Sequence, residues 1–135
     1  MMMKSSEAKA LLLSVAIVFV LIASCDAVYK KTTVGIVNQA TGNPITVHCY
    51  SGDDDLGFKK LAFGESFAWS FRYSVLGNTR YICTINTDFG SGSYVAYKEG
   101  FIVDTCGLNC VWIVKQDGPC LQQTRGPLLC QKWQR

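Results

Sequence analysis

The chain has 135 residues, 49% of them hydrophobic and 17% charged, with a formal net charge of +3. This length suits one domain and not two. Beyond Lys30-Lys31 and Lys59-Lys60 the basic residues are scattered, so the surface lacks the Lys/Arg runs that track a phosphate backbone, and no nucleic-acid partner is expected.

The first segment reads as a leader. Lys4 and Lys9 precede an almost wholly apolar run from Ala10 to Ala23, and the small residues Ser24-Cys25-Asp26-Ala27 follow. A basic start, a short apolar stretch and a small-residue end make a secretory signal peptide. A transmembrane anchor needs about 20 apolar residues, and this run is shorter. The expected organisation is therefore a signal peptide over residues 1–27, cleaved after Cys25 or Ala27, and one domain over 28–135. Removing residues 1–27 from 135 leaves 108, and Lys4, Lys9, Glu7 and Asp26 depart together, so the charge stays at +3. No stable membrane insertion is expected after cleavage.

Extended patterns then succeed one another. Val34 to Val37 makes a first strand, ended by the turn-rich run Asn38 to Pro44. Ile45 to Tyr50 makes a second, with Ile45, Val47 and Cys49 on one face and Thr46 and His48 on the other. Ser51 to Gly57 reads as a polar loop, and Lys59 to Ala62 as a short strand. Glu65 to Arg72 alternates cleanly, Phe67, Trp69 and Phe71 against Ser66, Ala68 and Ser70, which marks a half-buried strand. After a Gly77-Asn78 turn, Arg80 to Asn86 places Tyr81, Cys83 and Ile85 on one face. Asp88 to Ser93 reads as a glycine-serine loop, followed by short strands at Tyr94 to Tyr97 and Phe101 to Val103. Cys110 to Lys115, rich in β-branched and aromatic residues, suits a central strand. Cys120-Leu121 and Leu129-Cys130 lie symmetrically about Thr124-Arg125-Gly126, as in a hairpin.

No segment after the leader keeps helical periodicity, and strands at roughly 8–12-residue spacing predict an all-β, disulfide-stabilised sandwich of about eight antiparallel strands. Its core is expected from Ile36, Val47, Phe67, Trp69, Phe71, Ile85, Trp112 and Val114.

Seven cysteines are encoded, and Cys25 falls in the leader, leaving Cys49, Cys83, Cys106, Cys110, Cys120 and Cys130. An even number in a short secreted chain implies a disulfide framework, with 15 connectivities open. Cys120 and Cys130 would oppose each other in the hairpin and pair there. The other four allow three connectivities. Cys106–Cys110 would close a tiny loop and restrict the unfolded chain least. Cys49 and Cys110 both sit in strongly apolar strands, which favours a bridge between the sheets and leaves Cys83 for Cys106.

The chemistry-bearing residues are few. Cys106 and Cys110 have a spacing that metal ligands use, but His48 is the only histidine and an oxidising compartment favours disulfides, so neither metal nor cofactor is expected. A lone strand histidine without a nucleophile motif reads as a hydrogen-bonded structural residue, and no enzyme is indicated. Asp53, Asp54 and Asp55 offer hard oxygen ligands without calcium-loop spacing, so they read as residues that shape a turn. Loops on a rigid scaffold are the usual place for binding, here Ser51 to Gly57, Asn86 to Ser93, Cys106 to Asn109 and Gln122 to Pro127. Within them Asp53, Asp54, Asp55 and Arg125 are the candidate partner contacts, and Arg72 and Arg80 are further candidates because arginine anchors interfaces.

Val34 to Asn38, then TVHCYSGDDDLG, LAFGESFAWSFR, GNTRYIC, CGLNCVWIVKQDG and Trp133 together resemble the plant self-incompatibility S1 family, the S-protein homologues. The resemblance covers about Val34 to Trp133. It implies a compact secreted β-sandwich in the apoplast that acts without catalysis, as a ligand of a cell-surface receptor protein. The founding members act in pollen–pistil self-incompatibility. The rival expectation is a secreted defence protein that damages membranes. Cys49, Cys83, Cys106 and Cys110 match the family's four cysteines, and Cys120 and Cys130 stand where many relatives lack cysteine.

Overall fold

The computed structural model describes residues 29–74, 79–101 and 105–135. The expected leader and the Gly77-Asn78 turn lie outside these residues. Among the described residues nine strands run in the order β1 (Tyr29–Asn38), β2 (Ile45–Tyr50), β3 (Asp55–Leu61), β4 (Ser66–Ser74), β5 (Tyr81–Thr87), β6 (Gly90–Tyr97), β7 (Asn109–Lys115), β8 (Gly118–Gln122) and β9 (Leu129–Cys130). They form two sheets, a five-stranded one in the order β4-β1-β7-β8-β9 and a four-stranded one in the order β3-β2-β5-β6. The chain is a β-sandwich, as its alternation predicts.

Alternation decides which side chains enter the core. In β2, Ile45, Val47 and Cys49 are buried while Thr46, His48 and Tyr50 are half-exposed. Tyr81, Cys83 and Ile85 of the neighbouring strand β5 are buried beside them on the same face. The opposite sheet contributes Val34, Ile36, Cys110, Trp112 and Val114, all buried, and Phe67, Trp69 and Phe71 pack against this cluster half-buried. Inward-facing positions from two sheets, interleaved in one layer, are how a sandwich removes apolar area from water. The indole N–H of Trp112 donates to the Ala96 carbonyl at 3.0 Å, so this buried tryptophan keeps its one polar atom paired.

Several strand expectations need correction. β3 starts at Asp55, so the polar loop is only residues 51–54. The Asn86–Ser93 loop is instead a hairpin whose arms pair through Thr87 and Gly90. Gly90 and Gly92 look like loop residues in sequence but serve as strand positions lying under aromatic rings. A Cβ on Gly90 would come within 2.5 Å of Trp133, and one on Gly92 would collide with the Tyr94 ring. β1 and β7 run parallel, with Val34 beside Cys110 and Ile36 beside Trp112. Antiparallel direction is enforced by short hairpins, and five intervening strands remove that constraint. Phe101 begins no strand; its carbonyl accepts the amides of Thr105 (3.1 Å), Cys106 (2.9 Å) and Gly107 (3.0 Å), closing a turn. Residues 102–104, the rest of that expected strand, lie outside the described residues.

The disulfides are Cys49–Cys83, Cys106–Cys110 and Cys120–Cys130. The expected Cys49–Cys110 and Cys83–Cys106 bonds are not formed. Each of these cysteines has another partner well inside the Cα separation of about 7 Å that a bridge tolerates. Cys49 and Cys83 are opposed residues of one sheet, with Cα atoms 4.0 Å apart. The turn after Phe101 brings Cys106 and Cys110 to 5.0 Å. Cys120 and Cys130 are opposed in the β8–β9 hairpin at 3.9 Å.

Asn38, which reads as a turn residue in sequence, is the fully buried end of β1. Its amide nitrogen Nδ2 donates to the Leu61 carbonyl (3.0 Å) and its Oδ1 accepts the Ala40 amide (2.9 Å). Its backbone bonds Glu65 and Gly64. One side chain thus ties β1 to the β3–β4 turn and closes that end of the sandwich.

Candidate functional site

Strand directions sort the loops between two ends. Residues 51–54, 79–80, 105–108 and 123–128 gather at one end; residues 39–44, 62–65, 88–89 and 116–117 gather at the other. Three of the four expected contact loops therefore share an end. The fourth, Asn86–Ser93, belongs to the opposite end, because the β5–β6 hairpin reverses there. At the shared end Thr124 donates its amide to the Thr105 carbonyl at 2.9 Å, tying two of the loops together.

The turn after β2 is built by Ser51. Its Oγ accepts the amides of Asp53 (3.3 Å) and Asp54 (3.0 Å), and its own amide donates to the Asp54 carbonyl (2.7 Å). The hydroxyl does the turn-shaping that sequence assigns to the acids. Only Asp55 acts in the expected way, its Oδ1 accepting the Gly57 amide at 2.8 Å. That bond sits at a bulge where Leu56 and Gly57 stand opposite Cys49, with Gly57 at φ 77°. Bulges re-aim side chains at strand ends, and here Asp55 turns toward His48.

With the turn held by Ser51, the exposed Asp53 and Asp54 line a cleft of about 420 Å³ together with Arg72, Thr79, Arg80 and Tyr81. Two carboxylates and two guanidinium groups share this opening between the sheets. Burial raises the pKa of the Tyr81 hydroxyl above the usual tyrosine range; its hydrogen bond to Ser51 opposes the shift, and the nearby Asp54 and Asp53 charges add to it. Arg125 is exposed on the loop beside Thr124 but does not line the cleft.

Next to the cleft lies a short aromatic row on the outer face of the four-stranded sheet. His48 stacks on Phe58 with ring centroids 4.3 Å apart, and Tyr50 lies 5.3 Å from His48. Phe58 is 72% exposed. His48 Nε2 meets Asp55 Oδ1 at 2.7 Å. The Asp55 pKa falls below the ordinary carboxylate range, first because the Gly57 amide bonds its charged form and then because His48 does. His48 is thus hydrogen-bonded to Asp55 and stacked on Phe58. Sequence parity places His48 on this face; nothing local places Phe58 beside it, because the cross-strand register does so.

Among the described residues no group of three or more His, Cys, Asp or Glu side chains could hold a metal ion. No helix among them is long and apolar enough to cross a membrane.

The fold and site define a disulfide-braced β-sandwich that presents charged loops at one end. The sequence matches the family described as plant self-incompatibility protein S1 over residues 33–133. S-protein homolog 2 of Arabidopsis thaliana is 37% identical over 116 residues, covering 78% of this chain and 70% of that protein. S-protein homolog 29 of the same plant is 30% identical over 122 residues, covering 88% and 89%. A solved structure of an SPH (Self-Incompatibility Protein Homologue) protein superposes with a TM-score of 0.61 at 19% identity, over 79% of this chain and 97% of that one. It is described as one of a widespread family of small, highly stable, secreted proteins from plants. The chain belongs to the plant self-incompatibility protein S1 family.

Proposed function

We propose that this protein is secreted into the apoplast and acts there, without catalysis, as a ligand of a plant cell-surface receptor protein. The observation that carries the reading is the loop end, where Asp53, Asp54, Arg72 and Arg80 converge on one cleft. Charges of both signs held on a rigid scaffold suit selective docking, since electrostatic complementarity rejects wrong partners more than it adds affinity. Secretion fits the three disulfides, which persist in oxidising compartments. Pollen–pistil recognition is the specific setting the family's founding role suggests, and expression in pistil tissue is its direct check.

The test is saturable binding of labelled protein to plant plasma membranes. Reversal of the cleft charges in Asp54→Lys and Arg80→Glu weakens binding by at least about tenfold, each reversal costing on the order of 2 kcal/mol if the cleft is buried on docking. Circular dichroism of both variants stays that of the wild type. Release of dye from protein-free lipid vesicles at the same concentrations would instead establish the membrane-damaging reading.

A further inference from the structure

Beyond β9, residues 131–135 leave the five-stranded sheet, cross the open side of the sandwich and cover the outer edge of β6. The Gln131 amide first donates to the Pro119 carbonyl at 2.9 Å. Ser91 then exchanges bonds with the segment's end: its amide donates to the Arg135 carbonyl (3.1 Å), and its carbonyl accepts the amides of Gln134 (3.0 Å) and Arg135 (3.1 Å). Gln134 adds a side-chain copy of strand pairing. Its Oε1 accepts the Ser93 amide and its Nε2 donates to the Ser93 carbonyl, both at 2.9 Å. Trp133 lies over Gly90 and donates its indole N–H to the Gln116 carbonyl at 2.7 Å. The Tyr94 hydroxyl donates to the Lys132 carbonyl at 2.8 Å. The segment is a strap with a seat shaped for it.

Residues 123–128 connect β8 to β9 and hence to the strap. A connection of this kind, once straightened, carries the segment beyond it onto the same seat of a neighbouring copy, with every strap contact conserved. The Cys120–Cys130 bond forbids that, because it joins the two ends of the connection covalently, 10 positions apart. It is also the most approachable of the three bonds. Cys130 is exposed, whereas Cys49, Cys83, Cys106, Cys110 and Cys120 are 4% exposed or less.

We infer that the edge of β6, with β8 beside it, is an acceptor site for residues 129–135 of a second copy of this chain, and that Cys120–Cys130 locks the strap against this exchange. Opening the lock takes a dithiol, which gives two electrons and two protons to the S–S bond. Two thiols form, and the dithiol closes to its cyclic disulfide. Re-closing takes a small-molecule disulfide such as oxidised glutathione, which accepts those two electrons and protons and leaves as two thiols. Closed and exchanged forms share their contacts, so the balance between them follows the effective concentration of the strap at its own seat, on the order of millimolar for a short connection.

The experiment uses the full mature chain. Protein is reduced at limiting dithiol, and loss of the Cys120–Cys130 bond alone is verified by thiol mapping. It is then concentrated to about 1 mM, the range set by that effective concentration, and re-oxidised with oxidised glutathione. The expected product is a species of twice the monomer mass on a non-reducing gel, bridged through Cys120 of one copy and Cys130 of the other. The same treatment at about a hundredfold lower concentration returns monomer. In parallel, the double variant Cys120→Ser, Cys130→Ser forms a non-covalent dimer by light scattering, and adding Trp133→Ala and Gln134→Ala together unseats the strap in both forms and leaves an open monomer. A monomer at every concentration by both routes overturns the inference. So does a dimer that survives loss of Trp133 and Gln134, or a chain that loses its β circular dichroism whenever this bond opens.

Discussion

Replacing Cys49 and Cys83 by alanine tests the stabilising order of the three bridges. The Cys49–Cys83 bond spans 34 positions, Cys120–Cys130 spans 10 and Cys106–Cys110 spans 4. If a bridge acts mainly by restricting the unfolded chain, loop closure gives about 3.8, 2.7 and 1.9 kcal/mol respectively at 25 °C. Cys49, Cys83, Cys106 and Cys110 are all buried, so the packing lost with each of those two pairs is alike. The difference of about 2 kcal/mol between them then isolates the loop-length effect. For a domain of this size about 1 kcal/mol moves the midpoint by about 4–8 °C, so losing Cys49–Cys83 lowers Tm by roughly 15–30 °C. Urea unfolding followed by tryptophan fluorescence measures the differences, with similar m-values as the check that the unfolded state is comparable. If the Cys106→Ala, Cys110→Ala pair costs as much as Cys49→Ala, Cys83→Ala, the loop-closure reasoning fails.

Gly90→Val drives a side chain into the Trp133 ring and loosens the strap, so amide exchange at Ser91 and Ser93 accelerates while β2 and β7 stay protected, as hydrogen-exchange mass spectrometry will show. Trp112→Phe removes the N–H that pairs with the Ala96 carbonyl and leaves that buried acceptor unpaired, a loss of about 1–3 kcal/mol in chemical denaturation. Asp55 has a depressed folded-state pKa, so its contribution is present above the unfolded-state pKa of about 4 and is lost as pH falls through the lower folded value. Asp55→Asn should therefore flatten the stability–pH curve below about pH 4, as unfolding measured across that range will show.

What is legible in the sequence follows from the two-residue period of an extended chain. Ile45, Val47 and Cys49, or Phe67, Trp69 and Phe71, declare their inward face because each pattern is contained within one strand. Asp53 and Asp54 were legible as surface acids, but not as neighbours of Arg72 and Arg80, because that cleft joins residues from both sheets. Asn38 and Ser51 carry their weight through hydrogen bonds to partners whose position local sequence does not state.

The sequence by itself determined that this chain is an all-β member of its family, which side of most strands enters the core, and that Cys120 opposes Cys130, because periodicity, motif order and hairpin symmetry are local properties. Only the tertiary structure decided that Cys49 bonds Cys83 across one sheet, that β1 lies parallel to β7, which loops share an end, and that residues 131–135 cover the edge of β6. These depend on which distant segments pair and in what register. That choice is made by filling one core between two sheets, and no stretch of sequence encodes it alone.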